Sequence, residues 1–280
     1  MLATRVITAV VALVVVVALV FLASRTAWSL FMLAVALIAC WEWSRLTGLA
    51  AGGRAAYLAL SAILGIALAA FFLGAAPERF AKAAFLVFAI AALFWIAIAP
   101  LWIARHLRPG AVLAALAGWV VVWPTWMACV VLREEGPWIL LGAAALVWVA
   151  DIAAYFSGRR FGRRKLAPAV SPGKTWEGLI GALAGVLVYA VVLAALAHAR
   201  DVPFAEIFAP AAGIPAIVAM VVLALLSVVG DLFESWMKRG AGRKDSSALL
   251  PGHGGVLDRV DALTSTLPVA ALAIMVMRWV

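Results

Sequence analysis

The sequence predicts an all-α fold, a polytopic helical membrane bundle, and three observations carry that expectation. Apolar residues make up 68% of the 280 and charged residues 12%, with a mean hydropathy of +1.14. A single aqueous core could not hide that much hydrocarbon. Several apolar runs approach or exceed the ~20 residues a helix needs to cross a bilayer, and the short alternating segments of a membrane barrel do not occur. The expectation is one integral membrane domain over residues 1–280 with about nine transmembrane helices.

The first apolar run, 7 to 23 behind Arg5, exceeds the ~7–15 residues of a secretory signal core and lacks a small-x-small cleavage site before Arg25. It reads as a retained span. Further spans follow at 28 to 44, 56 to 74, 83 to 104, 111 to 132, 138 to 157, 176 to 198, 211 to 230 and 262 to 279, each bounded by charge, Gly or Pro. Pro100 and Pro124 fall inside apolar runs, where they kink helices. Cys40 and Cys129 lie in apolar stretches without metal-site or disulfide spacing, which makes them core residues. Three histidines are too few for a multi-histidine metal centre, and His106 and His198 read as interfacial. Trp28, Trp41, Trp43, Trp123, Trp126, Trp138, Trp176 and Trp279 stand near predicted span ends and read as headgroup anchors.

The formal net charge of +9 would suggest nucleic acid in a soluble protein. Here the cations sit in loops between spans, where anionic headgroups and phosphorylated substrates are the closer partners. Lys and Arg concentrate at the amino terminus and in the loops after spans two, four, six and eight. The opposite side holds only Arg25, Arg79, Lys82, Arg133, Arg200 and Arg278. The richer side is therefore expected in the cytoplasm.

The longest polar passage runs from Asp231 to Asp261 and is the natural seat of function. Asp231, Asp258 and Asp261 carry carboxylates suited to a hard cation such as Mg²⁺. Lys238, Arg239, Arg243, Lys244 and Arg259 surround them with positive charge. Asp258 and Asp261 stand three apart and share a face if the chain is helical there. Pro251-Gly252-His253-Gly254-Gly255 cannot hold a regular helix and reads as a turn that a phosphate can approach. His253 there either donates to a phosphate or orients the loop.

A second polar loop, 157–175, follows Asp151, with Ser171, Lys174 and Thr175 preceding a helix start that favours an anion. The alternative for this loop is a helix cap with a polybasic, lipid-contacting stretch at Arg163, Arg164 and Lys165. Asp151 and Asp231 both lie near the ends of spans, where an ionised acid costs several kcal/mol unless paired or hydrated. A salt bridge to Arg239 or Arg259 is the structural alternative for either. Glu234 and Ser235 follow Asp231 on neighbouring helical faces, and Glu42 reads as a headgroup-facing acid.

Ser235-x-Met237-Lys238-Arg239, then Lys244-Asp245, Ser247, Leu250-Pro251, His253-Gly254-Gly255-Val256 and Asp258-Arg259-Val260-Asp261 closely resembles the signature of the phosphatidate cytidylyltransferases. The Asp151-Ile-Ala-Ala-Tyr155 passage and Ser171-Pro172-Gly173-Lys174-Thr175-Trp176-Glu177-Gly178 resemble a second element of that family. The resemblance implies transfer of the cytidylyl group of CTP to phosphatidate and a homodimer; the compact nine-span plan suits a bacterial inner membrane, and the charge asymmetry of the loops places the site on the cytoplasmic side. The expected catalytic set is Asp231, Lys238, Arg239, His253, Asp258, Arg259 and Asp261. Asp231, Asp258 and Asp261 are expected to hold Mg²⁺, with a second ion as an option. The expected substrate-binding set is Asp151, Ser171, Lys174, Thr175, Ser235, Lys244, Asp245, Gly254 and Gly255. Two other readings compete. A cation- or proton-coupled transporter would use the intramembrane aspartates as an ion path, but it leaves the adjoining cations and glycines unexplained. A CDP-alcohol phosphatidyltransferase would require an Asp-Gly-x2-Ala-Arg motif that the sequence lacks.

Overall fold

The structure, a computed structural model, describes residues 2–198 and 214–279, and side chains at 6–76, 78–196 and 214–277. Its helices are α1 Leu2–Leu22, α2 Arg25–Ser44, α3 Ala51–Gly74, α4 Pro77–Leu93, α5 Ala99–Ala104, α6 Ala111–Glu135, α7 Pro137–Phe161, α8 Trp176–His198, α9 Ile214–Gly240 and α10 Leu257–Trp279. A π-turn, Phe94–Ile98, joins α4 to α5, so that Glu78–Ala104 forms one span. Among the described residues, eight helices are long and apolar enough to cross a membrane, and α1 adds a shorter apolar stretch, Val6–Leu22. The protein is an integral membrane helical bundle.

The π-turn sits immediately before Pro100. A proline ring crowds the preceding turn and lacks the N–H that would close it, and the ladder widens, with Ala99 N donating to Phe94 O. α6, in contrast, runs unbroken through Pro124. Among the described residues one small sheet interrupts the helices: β1 Lys165–Ala167 pairs antiparallel with β2 Ser171–Thr175, Lys165 opposite Thr175 and Ala167 opposite Ser171. This hairpin feeds directly into α8.

The packing centres on α10, which lies against α9, α6, α4, α7 and α2. Four tryptophans expected at the headgroups are instead internal. Trp28, Trp43, Trp123 and Trp126 are all buried, and three of them donate across helices: Trp28 Nε1 to Cys129 O at 3.1 Å, Trp43 Nε1 to Ala114 O at 2.8 Å and Trp126 Nε1 to Ser29 O at 3.3 Å. A neighbouring helix's carbonyl satisfies the indole N–H as well as a headgroup does, so the rings pin α2 to α6. Trp41, Trp138 and Trp176 are exposed, as anchors should be. Cys40 and Cys129 are buried, as expected of core residues. Arg133 donates to the carbonyls of Val20 and Ala23 and so ties the end of α1 to α6. His106 is exposed; the side chains of His198 and Trp279, Arg200 and the expected start of the eighth span at 211 lie outside the described residues.

Helix boundaries near the polar passage differ from expectation in one direction. α9 continues to Gly240 rather than ending near 230, and α10 starts at Leu257 rather than 262. Both ends of the polar passage are helical. Leu232, Phe233, Trp236 and Met237 are buried, an i, i+4 stripe that keeps α9 against the core while polar residues occupy its other face. Phe233 contacts the rings of Trp43, Phe94, Trp95, Trp102 and Trp236. At 3.6 residues per turn, Asp231 leaves α9 roughly 200° from Phe233, on the side away from this aromatic nest.

The α2–α6 seam is tight at Gly118, where an added Cβ would lie 2.2 Å from Trp43 Cδ1 and 2.7 Å from the Tyr57 hydroxyl. Gly118→Ala is expected to lower stability by about 1–3 kcal/mol through overpacking, seen as a lower unfolding temperature in detergent. Gly74→Ala, with open space around it, should leave that temperature unchanged.

Candidate active site

Two buried carboxylates shape the loop between α9 and α10. Asp258, in the first turn of α10, accepts from Ser246 N at 2.9 Å, Ser246 Oγ at 2.9 Å and Gly255 N at 2.8 Å through Oδ2, while Oδ1 lies 2.5 Å from Lys238 Nζ. Glu42 is fully buried, not headgroup-facing as expected. Its oxygens accept from Ser247 Oγ at 2.6 Å, Val256 N at 2.9 Å, Leu257 N at 2.7 Å and Ser246 Oγ at 3.2 Å. α2 therefore caps α10 from a distance, because the first N–H groups of a helix have no partner within it and attract an acid.

The glycines of the turn have steric reasons. A Cβ on Gly255 would lie 2.0 Å from Ser246 Oγ and 2.4 Å from Glu42 Oε1. Gly254 has φ +84°, and a Cβ there would lie 2.7 Å from Asp258 Oδ2. These positions shape the loop around its two carboxylates; side-chain-free backbone is what lets the acids reach the amides.

The expected metal ligand Asp258 and the expected phosphate holder Lys238 are thus turned toward each other. Lys238 is buried and also lies 3.3 Å from Glu234 Oε2. The loop needs an acceptor at Asp258, and a buried ammonium needs a counter-charge. Among the described residues no group of three or more Asp, Glu, His or Cys side chains is arranged to hold a metal.

The other acids gather where α9 meets α10. Gly230 permits the approach, since a Cβ there would lie 2.4 Å from Ser265 Oγ and 2.7 Å from Asp261 O. Asp231 and Asp261 come within electrostatic reach of each other, and Glu234 abuts Asp261. Glu234 is buried, and among the described residues its oxygens have no hydrogen-bond donor beyond the Lys238 ammonium. Asp231, Glu234, Asp258 and Asp261 outnumber Lys174 and Lys238. That surplus of negative charge, buried at Glu234 and Asp258 and half-buried at Asp231 and Asp261, fits a divalent cation, and Asp231 with Asp261 are the pair that Lys238 does not hold, since Mg²⁺ takes one or two carboxylates together with substrate phosphates.

Asp231 faces a cavity of about 480 Å³ between α7, α8, α9 and β2, lined also by Asp151, Arg159, Ser171, Lys174 and Thr175. Lys174 Nζ lies 2.6 Å from Asp231 Oδ2, so the partner of Asp231 is this lysine and not Arg239 or Arg259. Ser235 Oγ donates to Asp231 Oδ1 at 3.2 Å. Thr175 is buried and its Oγ1 accepts from Gly178 N at 3.1 Å, capping α8. Glu177 accepts from Arg163 N at 3.0 Å and Arg164 N at 3.3 Å, which orders the basic loop. Tyr155 and Trp176, both exposed, stand on the helices that wall this cavity.

The remaining expected residues divide between two other surfaces. Lys244, Asp245, His253, Gly254 and Arg259 line a cavity of about 580 Å³ on the outer face of the loop, with His253 Nδ1 buried and unpartnered. Arg239 faces a third cavity with Arg243.

The Cytidylyltransferase family profile matches residues 3–277. The chain belongs to the cytidylyltransferase family. It is 39% identical over 295 residues to a phosphatidate cytidylyltransferase of Pseudomonas aeruginosa, covering all of this chain and 99% of that one. A Haemophilus influenzae protein of the same name is 50% identical over 134 residues, 48% of this chain and 44% of that one. One from Thermotoga maritima is 37% identical over 152 residues, 53% of each.

Glu42, Ser246 and Glu234 are absent from the expected site. An acid between two tryptophans in an apolar span was the available signal for Glu42, but its partners lie more than 200 positions away. Glu42→Gln replaces an acceptor oxygen by a donor group facing N–H and O–H donors, which costs about 1–3 kcal/mol for each donor left unpaired. Hydrogen exchange at the Val256 and Leu257 amides should accelerate about tenfold or more, with no comparable change in α3.

Proposed function

We propose that the protein transfers the cytidylyl group of CTP to phosphatidate, giving CDP-diacylglycerol and pyrophosphate, and that the cavity between α7, α8 and α9 is where the groups react. The observation that carries this reading is the Lys174–Asp231 pair at 2.6 Å facing that cavity, beside the surplus carboxylates of α9 and α10, in a chain of this family. A phosphate oxygen of phosphatidate attacks the α-phosphorus of CTP, the bond from that phosphorus to its β-bridging oxygen breaks, and pyrophosphate leaves with the electron pair. Both reactants are anions, so the protein's task is to neutralise charge and align the attack. No protein nucleophile is required.

Asp231 and Asp261 would hold Mg²⁺, which supplies neutralisation of the phosphates and polarisation of the attacked phosphorus. Lys174 is positioned to exchange its contact with Asp231 for a substrate phosphate, as a mobile point charge. Asp151 and Ser171 line the same space and orient the ligand. Lys244, His253 and Arg259, on the outer face of the loop, present donors to the nucleotide's phosphates. Lys238 acts differently: it holds Asp258 and Glu234, and so fixes the loop against α9. The acyl chains remain in the bilayer while the headgroup enters the cavity. The wider expectations of a bacterial inner membrane, a cytoplasm-facing site and a homodimer belong to this proposal, supported by the charge asymmetry of the loops and by family resemblance. The transporter reading would need a path of acids without phosphate-binding cations beside it, and Lys174, Lys244 and Arg259 stand there.

Purified protein in detergent with CTP, phosphatidate and Mg²⁺ is expected to release pyrophosphate only when lipid is present. Asp231→Asn should reduce the rate about 10²-fold or more, and chelation by EDTA should abolish it. Lipid-independent release, or full activity in the variant, would contradict the assignment.

A further inference from the structure

Away from the Lys174–Asp231 pair, a cavity of about 560 Å³ opens between the end of α2, the α5–α6 connection, the β1–β2 turn and the end of α9. Its size falls within the ~300–1,000 Å³ of small-molecule sites. Its charged walls are Arg45, Arg108, Arg239 and Arg243, with His106 beside them, and no carboxylate lines it. The reaction cavity, by contrast, balances Lys174 and Arg159 against Asp151 and Asp231.

None of these four arginines enters a salt bridge among the described residues. Arg45 lies over the Trp41 ring, 5.0 Å from its centroid, a contact that uses the face of the guanidinium and not its edge donors. Arg239 directs one donor to Arg243 O at 3.2 Å. Gathering guanidinium groups around one space raises their mutual repulsion unless an anion joins them. The backbone is also unusual here. His106, at φ +50°, is the single non-glycine with positive φ among the described residues, a conformation that costs energy and persists where the surroundings hold it. The α2 wall is rigid, because Glu42 three residues before Arg45 is fixed by its buried hydrogen bonds.

We propose that this cavity is an anion site distinct from the reaction cavity, and that it takes a phosphate group bearing more than one negative charge. Paired Arg donors match phosphate oxygens. Two sources present that chemistry: a soluble polyphosphate such as CTP or pyrophosphate, and the headgroup of an anionic phospholipid reaching in from the span ends. The nucleotide source rests on the cytidylyl-transfer reading; the anion site does not.

The test uses the full chain in detergent, with Arg45→Gln/Arg108→Gln and, as a milder change on an exposed loop, Arg108→Gln alone. Both lie outside the signature. Unliganded melting temperatures matching the parent establish that the variants fold. Affinities for CTP and pyrophosphate are measured by calorimetry without phosphatidate, and thermal stabilisation by phosphatidylglycerol over phosphatidylcholine is measured in parallel. Loss of roughly tenfold or more in polyphosphate affinity per arginine removed, with lipid stabilisation intact, supports the site and names the soluble source. Loss of the phosphatidylglycerol effect with polyphosphate affinity intact supports it and names the headgroup. If folded variants keep both responses, the proposal is overturned. A parent that binds at this site but never turns over would sink the cytidylyl-transfer reading and leave the anion site standing.

Discussion

In a bundle made mostly of hydrocarbon, the demand that buried backbone donors find acceptors sets the geometry of the polar end. Glu42 meets that demand for α10, accepting from Val256 N and Leu257 N while also holding Ser246 and Ser247. Asp258 meets it for the loop, through Ser246 N and Gly255 N. Ser246 Oγ stands between the two acids and joins them. Each buried donor left without an acceptor would cost about 1–3 kcal/mol, so α2, the loop and the start of α10 are tied to one another. The register of α10 places Asp261 beside α9.

The rotation of α9 is set from the other side. Phe233 seated among Trp43, Phe94, Trp95 and Trp102 turns Asp231 toward the cavity walled by α7 and α8. Gly230 lets α10 close against α9 at that level. The consequence is a concentration of carboxylates, balanced only in part by Lys174 and Lys238. Such an arrangement is costly as a structural element, and it becomes reasonable where cations and phosphates are handled together. Packing, electrostatics and the proposed chemistry therefore meet at Asp231 and Asp261.

Much of this was legible in the sequence because the bilayer makes hydropathy an unusually direct signal. The spans and the polar passage from Asp231 to Asp261 stand out for that reason, and Lys174 and Asp231 each carry a sequence signal, although their pairing carries none. Three things were hidden. The apolar stripe Leu232, Phe233, Trp236, Met237 is interleaved with acids and lysine, so hydropathy alone ends α9 ten residues early. Trp28, Trp43 and Trp126 satisfy their N–H groups on helix carbonyls, which composition cannot distinguish from headgroup contacts. Glu42 and Asp258 reach backbone amides that only the folded chain brings together; residue type alone suggested a surface acid and a metal ligand.

The most direct measurement of the central claim follows the two ends of CTP separately. The purified protein would be given phosphatidate and CTP labelled either at the α- or the γ-phosphorus. The account predicts that the α-label enters the organic-soluble lipid in step with pyrophosphate formation, while the γ-label stays in the aqueous phase. Entry of the γ-label into lipid, or no lipid labelling by folded protein, would contradict cytidylyl transfer.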